Sequence, residues 1–179
     1  MSLDLFITGN AETFPSARDW AAAIKLEGFN VELHQTFDTR QSSGFLPCPN
    51  AECGFEYSFG PLSEDDLEGF EIEPNLKSEI LKHDSIAGLH YTTDCDFEIV
   101  KVASAVLANM IGGFVLEAES GAIMTSSQAL AWARYEFEPQ VTIRASTAAR
   151  KQQLSPITMA KLALVIAIVG YWLWRWLIR

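Results

Sequence analysis

The chain has 179 residues and a formal charge of −10, long enough for one domain with a real core. It is too acidic for nucleic acid to be an expected partner, because phosphate binding runs on basic residues. The charge is also divided: all 23 acidic residues lie at or before Glu138, where only seven of the 13 basic ones lie, a balance of −16.

Leu3 to Ile7 alternates apolar and polar residues like a short strand. Pro15 suits a helix start, and Ser16 to Glu27 sets Ala17, Trp20, Ala21 and Ile24 on one face before Gly28 stops it. Phe29, Val31 and Leu33 alternate with Asn30, Glu32 and His34, which predicts a second strand with one wet face. After a polar loop, Gly44–Cys48 and Gly54–Phe59 form the two arms of a hairpin. Pro47 and Pro49 lack amide donors, so the first arm is expected to be short or at a sheet edge. Pro61 opens an acidic run in which Glu64, Asp65, Asp66, Glu68, Glu71 and Glu73 surround the apolar tethers Leu67, Phe70 and Ile72. A short helix is expected over 75–82.

Ile86 to Thr92 is the next strand, and Asp94 or Asp96 is placed to cap the helix after it. That helix, Phe97 to Met110, is apolar over more than half its circumference and is expected at the centre of the core, ended by Gly112-Gly113. Phe114 to Ala118 returns as a strand, turns at Glu119-Ser-Gly121, and pairs with Ala122–Met124. Ser126 or Ser127 is expected to cap a last helix, Gln128 to Phe137. Two strand–helix–strand units, near 3–33 and 86–118, suggest either a weak duplication or an ordinary two-layer α+β build.

Residues 140–155 are a basic, polar linker, and 156–179 read as one transmembrane helix. Leu162 to Trp174 is uncharged and gives about 20 Å of helix. Extending it to 157–178 gives roughly 33 Å, provided Lys161 and Arg175 lift their charges to the two surfaces. Tyr171, Trp172, Trp174 and Trp176 cluster at one end, where amphipathic rings favour the headgroup boundary. A lipid bilayer is therefore an expected partner. Arg144, Arg150, Lys151 and Lys161 precede the span against Arg175 and Arg179 at its end, which predicts a cytoplasmic N-terminal domain. Met1-Ser-Leu-Asp-Leu-Phe has neither a basic start nor a long apolar run, so no signal peptide is expected.

Chemistry is sparse. Cys48-x4-Cys53 has the form of half a zinc knuckle, but no second close Cys/His pair completes it, so no metal or cofactor is expected. Three cysteines in a cytoplasmic domain predict reduced thiols and no structural disulfide. His34 and His90 read as surface or packed histidines, no nucleophile elbow or phosphate loop is present, and no catalytic residue is assigned. The acidic run at 64–73 is either a surface for an Arg/Lys-rich partner or a solvated loop.

Gly44-Phe-Leu-Pro47, Gly54-Phe-Glu-Tyr57, Ala105-Val-Leu-Ala, Gly112-Gly113 and Ala129-Leu-Ala-Trp132 together resemble a group of small, mostly uncharacterised bacterial α+β proteins. Some of these are similar to immunity proteins of polymorphic toxins. The resemblance covers about residues 44–134, and it implies a fold and a partner class without any catalytic residue. The expectation is an α+β two-layer sandwich over 1–139, with a mixed or antiparallel sheet and helices on one face, carried by the membrane helix. Its expected role is non-enzymatic binding of a basic protein, as in occluding a toxin. The alternative is a structural component of a membrane complex, in which Ala160, Ala163, Ala167 and Gly170 allow close helix approach.

Overall fold

The computed structural model describes residues 3–49, 53–91 and 94–135, and these form an α+β domain. In chain order it contains β1 (Leu3–Gly9), a 3-10 turn (Ala11–Thr13), α1 (Ala17–Leu26), β2 (Gly44–Pro47) and β3 (Gly54–Pro61). A second 3-10 turn (Asp65–Leu67), α2 (Pro74–Ile80) and β4 (Ser85–Tyr91) follow. The described chain closes with α3 (Asp94–Ile111), β5 (Phe114–Glu117), β6 (Ala122–Thr125) and α4 (Ser126–Tyr135). The six strands make one sheet in the order β2-β3-β4-β1-β5-β6, antiparallel at every pairing. Of the two sheet types expected, the antiparallel one is present.

Local signals explain most boundaries. Ser16 caps α1 by accepting from the Asp19 amide at 3.2 Å, and Gly28 ends the helix with φ 85°. Pro47 lies on β2, a strand of 4 residues at the edge of the sheet, within the expectation of a short or edge arm. The cap of α4 differs from expectation. Thr125, not Ser126 or Ser127, takes the position, its Oγ1 accepting from Gln128 N while Gln128 Oε1 accepts from Thr125 N at 2.9 Å. This is a reciprocal capping box, Thr-x-x-Gln, in which two orphan amides are satisfied.

The strand expected at 29–33 does not form. The segment has the predicted burial, with Leu33 buried and Phe29 and Val31 packed on the core, but no ladder. Both sides of β1 are already taken, by β4 and by β5. Alternation reports which side chains face the core, and that is satisfied here without strand pairing. The duplication reading loses its first unit with this strand.

One sheet face carries Leu5, Ile7, Phe55, Tyr57, Ala87, Leu89, Val115 and Met124 into the main core, against α1, α3 and α4. Trp20 Nε1 donates to the Ala103 carbonyl at 3.0 Å, so the largest fully buried side chain among the described residues ties α1 to α3 while keeping its one donor satisfied. The opposite face has its own smaller cluster. Leu67, Ile80 and Leu116 are buried there, with Phe6, Leu62, Phe70, Ile72, Leu76 and Phe114 packed around them. Helices on one face therefore describe only part of the packing, because the segment 62–81 with α2 covers part of the other face.

Cys53 is disulfide-bonded, which corrects the expectation of no disulfide. Spacing along the chain does not tell which cysteines a fold brings together. Cys48 is buried. The side chains of Asp94 and Asp96, the linker at 140–155 and the transmembrane helix at 156–179 lie outside the described residues. So do Lys161, Tyr171, Trp172, Trp174, Arg175 and Trp176. Among the described residues no helix is long and apolar enough to cross a membrane.

Candidate functional site

The six acidic residues singled out from the sequence all lie on the segment that covers the second sheet face. Leu67 is buried and anchors the 3-10 turn to the sheet, while Asp65, Asp66 and Glu68 around it stay exposed. Asp66 Oδ2 accepts from Ser63 N at 2.7 Å and from Ser63 Oγ at 2.8 Å, which fixes the entry to the turn. Lys77 Nζ of α2 donates to Glu64 Oε2 at 3.0 Å and ties the turn to the helix. Gly69, with φ 98°, reverses the chain after Glu68 in a conformation that costs glycine little. The carboxylates thus sit on a mounted loop rather than on a loose one.

They do not act as one set. Asp66 and Glu68 line a half-open cleft of about 290 Å³ whose other walls are Phe6, Gly69, Phe70, Ile86 and Ala118. Glu64 is engaged with Lys77. Glu71 and Glu73 are exposed on the same segment but do not line the cleft. No ion pair reaches Asp65, Glu68 or Glu71 from the described residues. The cleft therefore combines two acidic residues with apolar lining, a combination that suits a side chain with a long apolar stem and a cationic head.

The same sheet face holds two polar groups whose partners sequence reading did not find. At one end, Thr8 on β1 is fully buried and its Oγ1 lies 2.9 Å from His83 Nδ1. Burial lowers the His83 pKa, opposed by the neighbouring Asp84 carboxylate. Asp84 Oδ1 accepts from Ala11 N and from Ser85 Oγ, each at 2.7 Å, and these bonds hold its pKa low. Nearer the other end, Asp4 on β1 and His90 on β4 pair at 2.7 Å, and His90 Nε2 lies 3.2 Å from Ser58 Oγ on β3. Asp4 and His90 face each other across the ladder, and Ser58 is opposite Gly88. These contacts span 86 and 32 positions of sequence, and no local motif announces them.

Among the described residues no cluster of three His, Cys, Asp or Glu side chains could hold a metal ion. Compared with known proteins, the chain matches no family model, no curated protein and no solved structure.

Proposed function

We propose that this is a membrane-tethered binding protein whose acidic cleft receives a Lys or Arg side chain of a basic protein partner. The observation that carries the reading is the cleft, which Asp66 and Glu68 line together with Phe6, Phe70 and Ile86. Apolar lining desolvates the stem of a bound side chain, and acidic residues in the same lining meet its charge where the local dielectric is lowered. Asp65 and Glu71 add a negative field around the opening that steers a basic partner toward it. Occlusion of a basic toxin by such a surface is the specific form we favour, with the terminal helix holding the protein at the membrane.

The test is binding by the full-length chain, purified in mild detergent, of a synthetic Lys/Arg-rich peptide, with a neutral peptide of equal length as control. The wild type is expected to prefer the basic peptide. Glu68→Lys with Asp65→Lys should weaken it at least tenfold, whereas reversing Glu12, distant in sequence and on another segment, should change it little. Equal loss from both reversals would mean that net charge alone drives binding, and the cleft would then have no special role.

A further inference from the structure

Ser58, His90 and Asp4 form a hydrogen-bonded relay that the binding role does not use. His90 Nδ1 lies 2.7 Å from Asp4 Oδ1, and its Nε2 lies 3.2 Å from Ser58 Oγ. In the neutral imidazole, a carboxylate at Nδ1 favours the tautomer with the proton there, which leaves Nε2 to accept from the serine hydroxyl. The three side chains come from adjacent strands near the middle of the sheet, β1, β4 and β3. Sheet pairing therefore fixes their spacing. Asp4 and His90 are each just over a quarter exposed, at 27% and 28%, and Ser58 is half-buried.

Gly88 makes the relay possible. It faces Ser58 across the ladder, and a Cβ there would lie 2.6 Å from Ser58 Oγ and 3.0 Å from His90 Nε2. Any larger residue would push between the two. Phe6, on the other side of Gly88, packs its ring against the His90 ring at a centroid distance of 6.1 Å and limits the swing of the imidazole.

We propose that Ser58 is a His90-activated nucleophile that accepts acyl groups from small carboxylic esters. Ser58 Oγ attacks the ester carbonyl carbon while its proton passes to His90 Nε2, and the Asp4 carboxylate stabilises the imidazolium formed. The tetrahedral adduct collapses, the carbon–alkoxy bond breaks, and His90 returns the proton to the departing alcohol. Water then attacks the acyl-Ser58 carbonyl by the same route, releasing the acid and restoring the serine. Ser58 lies within the β3–β4 ladder, and Phe59 N–H donates to Ser42 Oγ, so the strand does not offer a pair of free amides to an oxyanion. The substrates are accordingly esters with good leaving groups rather than amides. Ser58 and His90 are the catalytic residues, and Asp4 is a positioning residue.

The experiment is labelling of the full-length chain, folded in mild detergent, with a small neutral fluorophosphonate. Such a probe exchanges its fluoride for Ser58 Oγ and adds one phosphonyl group of known mass. One label per chain is expected, mapped to Ser58, absent in Ser58→Ala, and slowed on the order of 10²-fold in His90→Gln. Asp4→Asn should slow labelling and shift the pH of half-maximal rate, a readout that a merely structural Asp4 would leave in place. Thermal melting of each variant reports whether it folds, and Ser58→Cys tests the nucleophile again with an iodoacetamide probe. Labelling of Ser58 no faster than in the urea-unfolded chain, or at equal rate in wild type and folded His90→Gln, overturns the proposal. The assay reads nothing of the basic partner, so the two proposals stand or fall separately.

Discussion

Single residues decide how closely the parts of this sheet approach one another. Gly112 and Gly113 look equivalent in the sequence, but the structure asks different things of them. Gly112 needs φ 69° to end α3, and a Cβ there would meet nothing within 4 Å. Gly113 has no positive φ, but its Cβ would lie 1.9 Å from the Thr8 carbonyl oxygen, a backbone atom within β1. Alanine at 112 should therefore cost roughly 1 kcal/mol of left-handed strain. Alanine at 113 should cost about 1–3 kcal/mol through overpacking, because β1 is hydrogen-bonded on both sides and has nowhere to move. Urea unfolding of the two variants checks the order. A larger loss at 112 would mean that β5 can shift away from β1 as a unit.

Among the elements, those legible in the sequence were specified locally. The α1 boundaries follow from Ser16, Asp19 and Gly28, all within a turn of the ends they set. The acidic loop was visible too, since its charges and its apolar tethers lie together in the chain. The unformed strand at 29–33 and the relay of Asp4, His90 and Ser58 were not, because each depends on which strands become neighbours. The link between α2 and β4 shows how such a tertiary contact becomes a measurable property. His83 is drawn against Thr8 and its pKa is lowered by burial, so the folded state binds its proton less readily than the unfolded state does. The unfolded chain then holds more protons below the ordinary histidine value of about 6.5, and stability falls as pH drops through that range. The contribution is fully present above it. Asp84 has a lowered carboxylate pKa and acts in a separate window, below about 4. Melting temperatures of wild type and His83→Gln, followed from about pH 7.5 down to pH 5, should converge as the wild type loses its advantage. Parallel curves would show that His83 protonates without disturbing the layer that carries the acidic loop.

At the scale of the whole molecule, two signals bear on which side of a membrane the proposed anchor would place the domain, and they point in opposite directions. Four basic residues before the apolar stretch, against two at its end, favour a cytoplasmic domain. The disulfide at Cys53 favours an oxidising compartment, since cytosolic thiols are kept reduced. We give the charge bias precedence, because it acts on insertion itself, whereas a disulfide whose cysteines the fold already juxtaposes can close whenever reductant is withdrawn. The expectation is that cells quenched in acid and alkylated under denaturing conditions yield Cys53 as a modified, reduced thiol. The same protein purified in air should show it blocked. Carbonate extraction of the membranes should leave the chain in the pellet, as an inserted helix requires and a peripheral one does not. If Cys53 is already blocked in quenched cells, the domain faces an oxidising side, and the proposed basic partner is to be sought there. The proposed ligand of the acidic cleft would then lie outside the cytoplasm, with the proposed recognition of a cationic side chain unchanged.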